Sequence, residues 1–209
     1  ETHVVHLLAD LFVKLHDRYP RLPPELFTGK ADTVEDKLAH GLLDFALMIE
    51  PFNVEHYNFI RLPEVMRLGV VTRDDSPWAQ KDGITPEALN EMPLMIPSRQ
   101  SANRFDFRQW SQGKVTDETL HIVGRFDLIG NAAHFIRAGF ANTISVDELL
   151  QLETGHLKFV PLKPTLSLTA VIVWKKYRLL SRSSTVFLKE LRQCIDEASE
   201  ADSQAQQPS

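Results

Sequence analysis

Residues 41–51 read GLLDFALMIEP, and a single acid, Asp44, interrupts an otherwise apolar run. A strand covered on both faces is written as a near-continuous hydrophobic stretch, so a charge inside it has to mark an end. Gly41 supplies a left-handed turn that stops the preceding helix, Leu42 and Leu43 carry the chain across, and Phe45 to Ile49 form the buried strand. Asp44 then stands at the strand's entrance, where a short carboxylate can accept bonds from turn N–H groups.

Upstream, Asp32-Thr33-Val34-Glu35 has the form of a capping box, with Asp at the N-cap and Glu three residues on, opening a helix that turns Val34 and Leu38 inward and stops at Gly41. Before it, residues 2–18 place Val4, Leu8, Leu11 and Leu15 on one helical face, and Tyr19-Pro20 ends that helix. Between the two, PPELFTG reads as a short strand.

The design of residues 32–49 recurs about a hundred residues later. Asp127 caps a helix carrying Ile129, Ala133 and Ile136, Gly139 ends it, and Asn142 leads into Thr143 to Val146. Setting Gly41 on Gly139 puts Asp44 on Asn142. Little else aligns, which argues for two α/β lobes of similar local plan instead of a tandem repeat.

Two longer strand candidates, Val65 to Thr72 and Leu166 to Trp174, each bounded by polar or Pro-containing segments, carry the chain out of the first lobe and back. Lobe one is then discontinuous, residues 1–70 plus 168–200, and closes with a helix capped by Ser183 or Ser184 that runs through Val186, Phe187, Leu191 and Cys194. Lobe two is residues 71–167: a short helix opened by Thr85-Pro86-Glu87, a strand from Pro93 to Ile96, a helix from Ser101 to Gln112 and a strand from Leu120 to Arg125. Residues 201–209 read as a disordered tail.

Composition limits what these lobes can do. A chain that is 43% hydrophobic and 24% charged builds an ordinary water-soluble core. Its formal net charge is -5, but Asp196, Glu197, Glu200 and Asp202 sit in a tail without Lys or Arg, so the body is nearly neutral and carries no basic footprint for nucleic acid. The one cysteine, Cys194, excludes an internal disulfide, reads as buried packing and suits a reducing compartment. No apolar run reaches the length of a membrane span, and the start ETHVVHLLAD lacks the basic opening of a signal peptide.

GxSxG, HExxH, GxxxxGK[ST] and a strand-GxGxxG-helix unit are all absent. His3 and His6 stand one helical turn apart with no further ligand at suitable spacing, so they read as exposed first-turn histidines and no metal is expected. Nor are catalytic residues or a cofactor. Asp74-Asp75 before Ser76-Pro77 is turn chemistry, not an acid and base pair.

What remains is a pattern for binding. Ser98-Arg99-Gln100-Ser101 follows an apolar strand and opens a helix, offering backbone N–H groups, hydroxyls and a guanidinium at a strand's carboxyl end. Thr28-Gly29-Lys30 follows PELF in the same manner, and Arg125-Phe126-Asp127 precedes the helix bearing Asn131. In open α/β sheets ligands sit outside the carboxyl ends of strands, so two lobes whose strand ends face each other enclose a cleft. Arg99, Lys30 and the helix N-termini favour a small anion as its occupant.

The order FVKLHDRYP, ELFTG, VEDKLAHGLLDFALMI, LGVVTRDDSPWA, LNEMPLMIPSRQS, FIRAGFANTIS, FVPL and AVIVWKKY resembles the effector-binding domain of LysR-type transcriptional regulators, from about residue 3 to 195. The resemblance implies a fold like type 2 periplasmic binding proteins: two Rossmann-like lobes joined by two crossover strands, with a small effector between them. It also implies a cytoplasmic homodimer or tetramer that contacts DNA only through an N-terminal winged helix-turn-helix lying outside this chain. Carried over by position, effector contacts come from Thr2, His3, Thr28, Gly29, Ser98, Arg99, Gln100, Ser101, Phe126 and Asn131. Members of that family carry a strand ahead of the first helix, written roughly LRIG, which this chain does not show. The alternative on the same fold is the solute-binding protein of a transporter.

Overall fold

The structure, a computed structural model, describes residues 4–29, 31–50, 52, 55–98, 106–149 and 156–205. Among the described residues, β1 (Ala46–Ile49), β2 (Tyr57–Arg73), β3 (Leu94–Pro97), β4 (Ile122–Phe126), β5 (Asn142–Val146) and β6 (Leu157–Lys175) hydrogen-bond in the order β1-β6-β2-β5-β3-β4, and the chain divides into two compact units, Val4–Val65 with Thr169–Ser209, and Met66–Leu168. β2 (Tyr57–Arg73) leads from the first unit into the second, and β6 (Leu157–Lys175) returns. These strands are 17 and 19 residues long, well beyond the stretches Val65 to Thr72 and Leu166 to Trp174 read from sequence. Pro63, Pro161 and Pro164, taken as boundaries, lie inside them; an extended backbone accommodates proline wherever its missing donor is not needed.

In the first unit α1 (Val5–Arg18), α2 (Ala31–Ala39), β1 (Ala46–Ile49) and α6 (Arg182–Ala205) surround the proximal part of β2 and the distal part of β6. β1 lies antiparallel to β6, Ala46 opposite Val173 and Ile49 opposite Ala170. Because side chains alternate, one face collects Ala46, Met48, Val171 and Val173 beneath Leu38 of α2. Phe45 packs elsewhere, its ring 4.6 Å from that of Phe187 and 6.2 Å from that of Trp174. Leu11 and Leu15 of α1 are fully buried, each contributing about 1.5–3 kcal/mol of hydrophobic stabilisation. Arg18 ties α1 to α6 by donating to Glu190 at 2.8 Å.

Gly41 has φ +71°, its N–H donates to Leu38 O at 3.1 Å, and the Leu42 N–H donates to Lys37 O at 2.8 Å. This is the paired-bond helix ending for which a residue without Cβ is suited. Gly139 repeats it in the second unit, with φ +77° and bonds from its own N–H to Ile136 O and from Phe140 to Phe135 O.

Several local expectations need correction. Residues 22–29 form no strand: no described strand pairs with them, and Leu26 is 74% exposed, so neither a backbone ladder nor burial holds the stretch extended as a strand. Asp32 is not an N-cap, because α2 begins at Ala31 and places it in the first turn, where the helix dipole favours an acid. Asp44 engages Arg178 instead of turn N–H groups, Oδ1 lying 3.6 Å from Nη2. Ser181, not Ser183 or Ser184, caps α6, its Oγ accepting from Ser184 N at 3.0 Å. That helix continues to Ala205, through the first part of the stretch expected as tail, since no proline interrupts it before Pro208. Cys194 is half-buried, with Lys14 Nζ 3.7 Å from its sulfur.

The second unit holds the distal β2, α3 (Pro86–Glu91), β3 (Leu94–Pro97), α4 (Phe107–Trp110), β4 (Ile122–Phe126), α5 (Ile129–Arg137), β5 (Asn142–Val146) and most of β6. β5 runs antiparallel to β2, Leu68 opposite Val146, while β3 runs parallel to both β5 and β4. A Cβ on Gly69 of β2 would lie 2.5 Å from Val160 O, so only glycine allows β6 to approach there. As expected, Thr85 caps α3, accepting from Ala88 N at 3.3 Å. The expected helix from Ser101 to Gln112 is described only from Asp106 onward: Asp106 Oδ1 accepts from Gln109 N at 2.7 Å, and α4 ends at Trp110. α5 has Leu128, not Asp127, at its N-cap, without a side-chain cap bond.

Candidate functional site

Parallel pairing of β3 and β4 sets their carboxyl ends side by side, Pro97 opposite Phe126. One residue on, the Ser98 N–H donates to Phe126 O at 2.6 Å, joining the two ends. Ser98 is exposed and Phe126 half-buried, so a hydroxyl-bearing and an aromatic residue stand at adjoining strand ends. α5 begins three residues after Phe126, so its unsatisfied N–H groups and the positive end of its dipole lie next in the chain. Asn131 occupies the first turn of α5, exposed, with its backbone N–H donating to Leu128 O at 3.1 Å. Donors, a partly covered phenyl wall and a helix N-terminus suit a small polar or anionic molecule.

Thr28 and Gly29 lie in the other unit, at the exposed end of the 22–29 stretch. A Cβ on Gly29 would stand 2.6 Å from Phe27 Cε1, so the Phe27 ring folds back over the glycine. Thr2, His3, Arg99, Gln100 and Ser101 fall outside the described residues. His6 pairs with Glu64, Nε2 to Oε1 at 3.0 Å. Among the described residues no group of three His, Cys, Asp or Glu stands close enough to hold a metal ion, and no helix is long and apolar enough to cross a membrane.

Near the sheet's ends, Asp147 escaped the sequence reading, and Asn142 was read only as the lead into its strand. Asp147, just past β5, is buried and accepts both the Arg67 backbone N–H and its Nε–H, each at 2.9 Å. Asn142 starts β5 and is also buried, its Nδ2 donating to Pro93 O at 3.0 Å. The signal was present in both cases, an Asx flanking an apolar strand, but that pattern equally describes exposed turns.

The LysR substrate binding domain family matches residues 1–195. A curated relative, the uncharacterized HTH-type transcriptional regulator YvbU of Bacillus subtilis, is 26% identical over 95 residues; the match takes in 46% of this chain and about a third, 32%, of the regulator's length. Among solved structures, the CcmR regulatory domain of Synechocystis PCC6803 in complex with 2-PG superposes with TM-score 0.75 at 17% identity, covering 92% of each chain. The effector binding domain of QuiR in complex with shikimate gives TM-score 0.78 at 13% identity, covering 92% of this chain and 91% of that one. HinK, a LysR family transcriptional regulator from Pseudomonas aeruginosa, gives 0.72 at 18%, with 92% of this chain on 67% of that one. These likenesses share the two-unit α/β fold with crossover strands. With the family matched over nearly its whole length, the chain belongs to the LysR substrate binding domain family.

Proposed function

We propose that this chain is the effector-sensing part of a LysR-type transcriptional regulator and binds a small anion at the carboxyl ends of its strands. Ser98, Arg99, Gln100, Ser101, Phe126 and Asn131 supply contacts from one lobe, and Thr2, His3, Thr28 and Gly29 complete the set. The observation that carries the assignment is the Ser98 N–H to Phe126 O bond, which brings two carboxyl strand ends together next to the start of α5. The complexes of CcmR with 2-PG and of QuiR with shikimate, proteins of the same fold, support a small-molecule ligand here.

The chain acts without catalysis and without a cofactor. Ligand binding biases two arrangements of a homodimer or tetramer through its differential affinity for them, and a winged helix-turn-helix elsewhere in the full polypeptide carries the DNA contact, placing the protein in the cytoplasm. Family membership favours this reading over the solute receptor of a transporter.

Thermal melting against a panel of small carboxylates and phosphorylated acids tests it. A ligand at a hundred times its Kd adds about 2.7 kcal/mol to stability, a readily measured rise in Tm. The Ser98→Ala/Arg99→Ala variant should keep its unliganded Tm and lose that rise. An equal rise in the variant would remove the site from this loop.

A further inference from the structure

We propose that the first unit carries a second small-molecule site, in the groove along α6, whose ligand is an amphipathic carboxylate such as a medium-chain alkanoate. The groove is open along one side and has a volume of about 890 Å³, in the range of small-molecule pockets, and all the residues lining it belong to this unit. Its apolar side is made by Trp174 near the end of β6, Leu180 in the loop that follows, and Leu188 on α6. Trp174 and Leu188 are 7% and 6% exposed, members of the core that also line the groove, and the Trp174 ring is in edge-on contact with Phe45. An apolar floor set this rigidly is preorganised for a hydrocarbon chain.

The polar side comes from one face of α6. Lys189 and Arg192 are three residues apart, hence neighbours on the helix surface, and both line the groove. Of the nearby acids, two are committed elsewhere: Glu190 accepts from Arg18 at 2.8 Å, and Glu197 accepts from Gln193 at 2.9 Å and faces Lys14 at 3.5 Å. Neither Lys189 nor Arg192 forms a hydrogen bond or ion pair with a described residue, so two uncommitted cations flank an apolar trough. A carboxylate joined to a hydrocarbon tail satisfies both halves. Asp196, one turn beyond Arg192, lines the same groove and opposes the ligand's charge, so it limits affinity. None of Thr28, Gly29, Ser98, Phe126 and Asn131 lines this groove, and the proposal stands independently of the effector assignment.

The test is a titration of the 209-residue chain with decanoate, followed through its three indole N–H resonances, assigned with Trp78→Phe and Trp110→Phe. Saturable movement of the Trp174 signal is expected, with those of Trp78 and Trp110 unmoved. Decanol, which has the tail without the charge, should bind roughly tenfold more weakly, as should decanoate to Lys189→Gln/Arg192→Gln. Both residues are exposed, so that variant should melt like the parent. Asp196→Asn should tighten binding. Non-saturating or uniform movement of the three indoles, equal affinity for decanol, or unchanged affinity in the double variant would each overturn the site.

Discussion

The Thr72 hydroxyl donates to Asn142 Oδ1 across 2.6 Å, linking β2 to β5 where the two side chains are 0% and 6% exposed. Thr72 Oγ1 also lies 2.7 Å from Ser76 Oγ, and Asn142 returns two bonds, from N and from Nδ2, to Pro93 O. In a dry interior each unpaired polar atom costs more than the bond was worth. Asn142→Ala removes two buried side-chain bonds while the Pro93 carbonyl keeps the backbone N–H of residue 142 and the Thr72 hydroxyl keeps Ser76, so it should cost about 1–2 kcal/mol of unfolding free energy in a urea titration. Thr72→Val combined with Asn142→Ala should cost less than the sum of the two single changes, since the two side chains share a bond.

The glycine turns predict a second pair of results. Gly139→Ala forces a Cβ into φ +77° and sets it 2.9 Å from Arg73 Nη1, whereas at Gly41 the obstacle is Arg178 Nη1 at 3.1 Å. Each alanine should lower stability by about 1–2 kcal/mol from the left-handed backbone alone. Adding Arg73→Ala to Gly139→Ala removes the clash but not the backbone penalty, so chemical denaturation should recover only part of the loss.

Arg67 and Asp147 give a third. Arg67→Ala keeps the backbone N–H to Asp147 and removes the guanidinium, which is itself more than half exposed, so the loss is smaller than for a buried pair, about 1 kcal/mol. Asp147→Ala removes the acceptor of both bonds and should be the more damaging change. A reversed order in denaturant midpoints would show that the pair is not what holds this strand end.

Glu87 supplies a pH signature. The hydrogen bond from Lys114 Nζ, at 2.7 Å, chiefly holds its carboxyl down to about 2, helped by a backbone N–H at the start of α3. Because the folded pKa is depressed, its stabilising contribution is present above the unfolded value of about 4.3 and is lost as pH falls from there towards 2. Lys114→Gln should return the Glu87 carboxyl towards the ordinary range in a carbon-detected NMR titration. An unmoved midpoint would assign the depression to the helix N-terminus instead.

The apolar runs announced β1 and β3, because strands as covered as these leave little room for polar side chains, whereas β4 and β5 were legible from the helix and turn signals beside them; Gly41 and Gly139 marked helix ends, because few residues tolerate that φ. The reading went wrong where the outcome depends on neighbours. Glu25-Leu26-Phe27-Thr28 has strand-forming residues but no described strand beside it, and Ser181, Ser183 and Ser184 are equivalent caps until the turn before them is known. Pro63 and Pro164 looked like boundaries because nothing local tells an interrupted strand from a finished one. Of the candidate site, the proximity of Ser98 to Phe126 follows from reading two strand ends as neighbours. Asp147 and Asn142 do not, since an Asx beside a strand becomes a buried anchor only through partners far away in sequence.

The passage of β2 out of the first unit and of β6 back into it also orders the protein's birth on the ribosome. Met66–Leu168 is contiguous, so its contacts are available as soon as that stretch has emerged. Val4–Val65 waits for Thr169 and beyond: β1 has no strand partner among the described residues until Ala170 to Val173 arrive, and α1 lacks its packing against α6 until that helix follows. Val4–Val65, synthesised before Met66–Leu168, finishes after it, and through that interval its apolar strand depends on the rest of translation for cover.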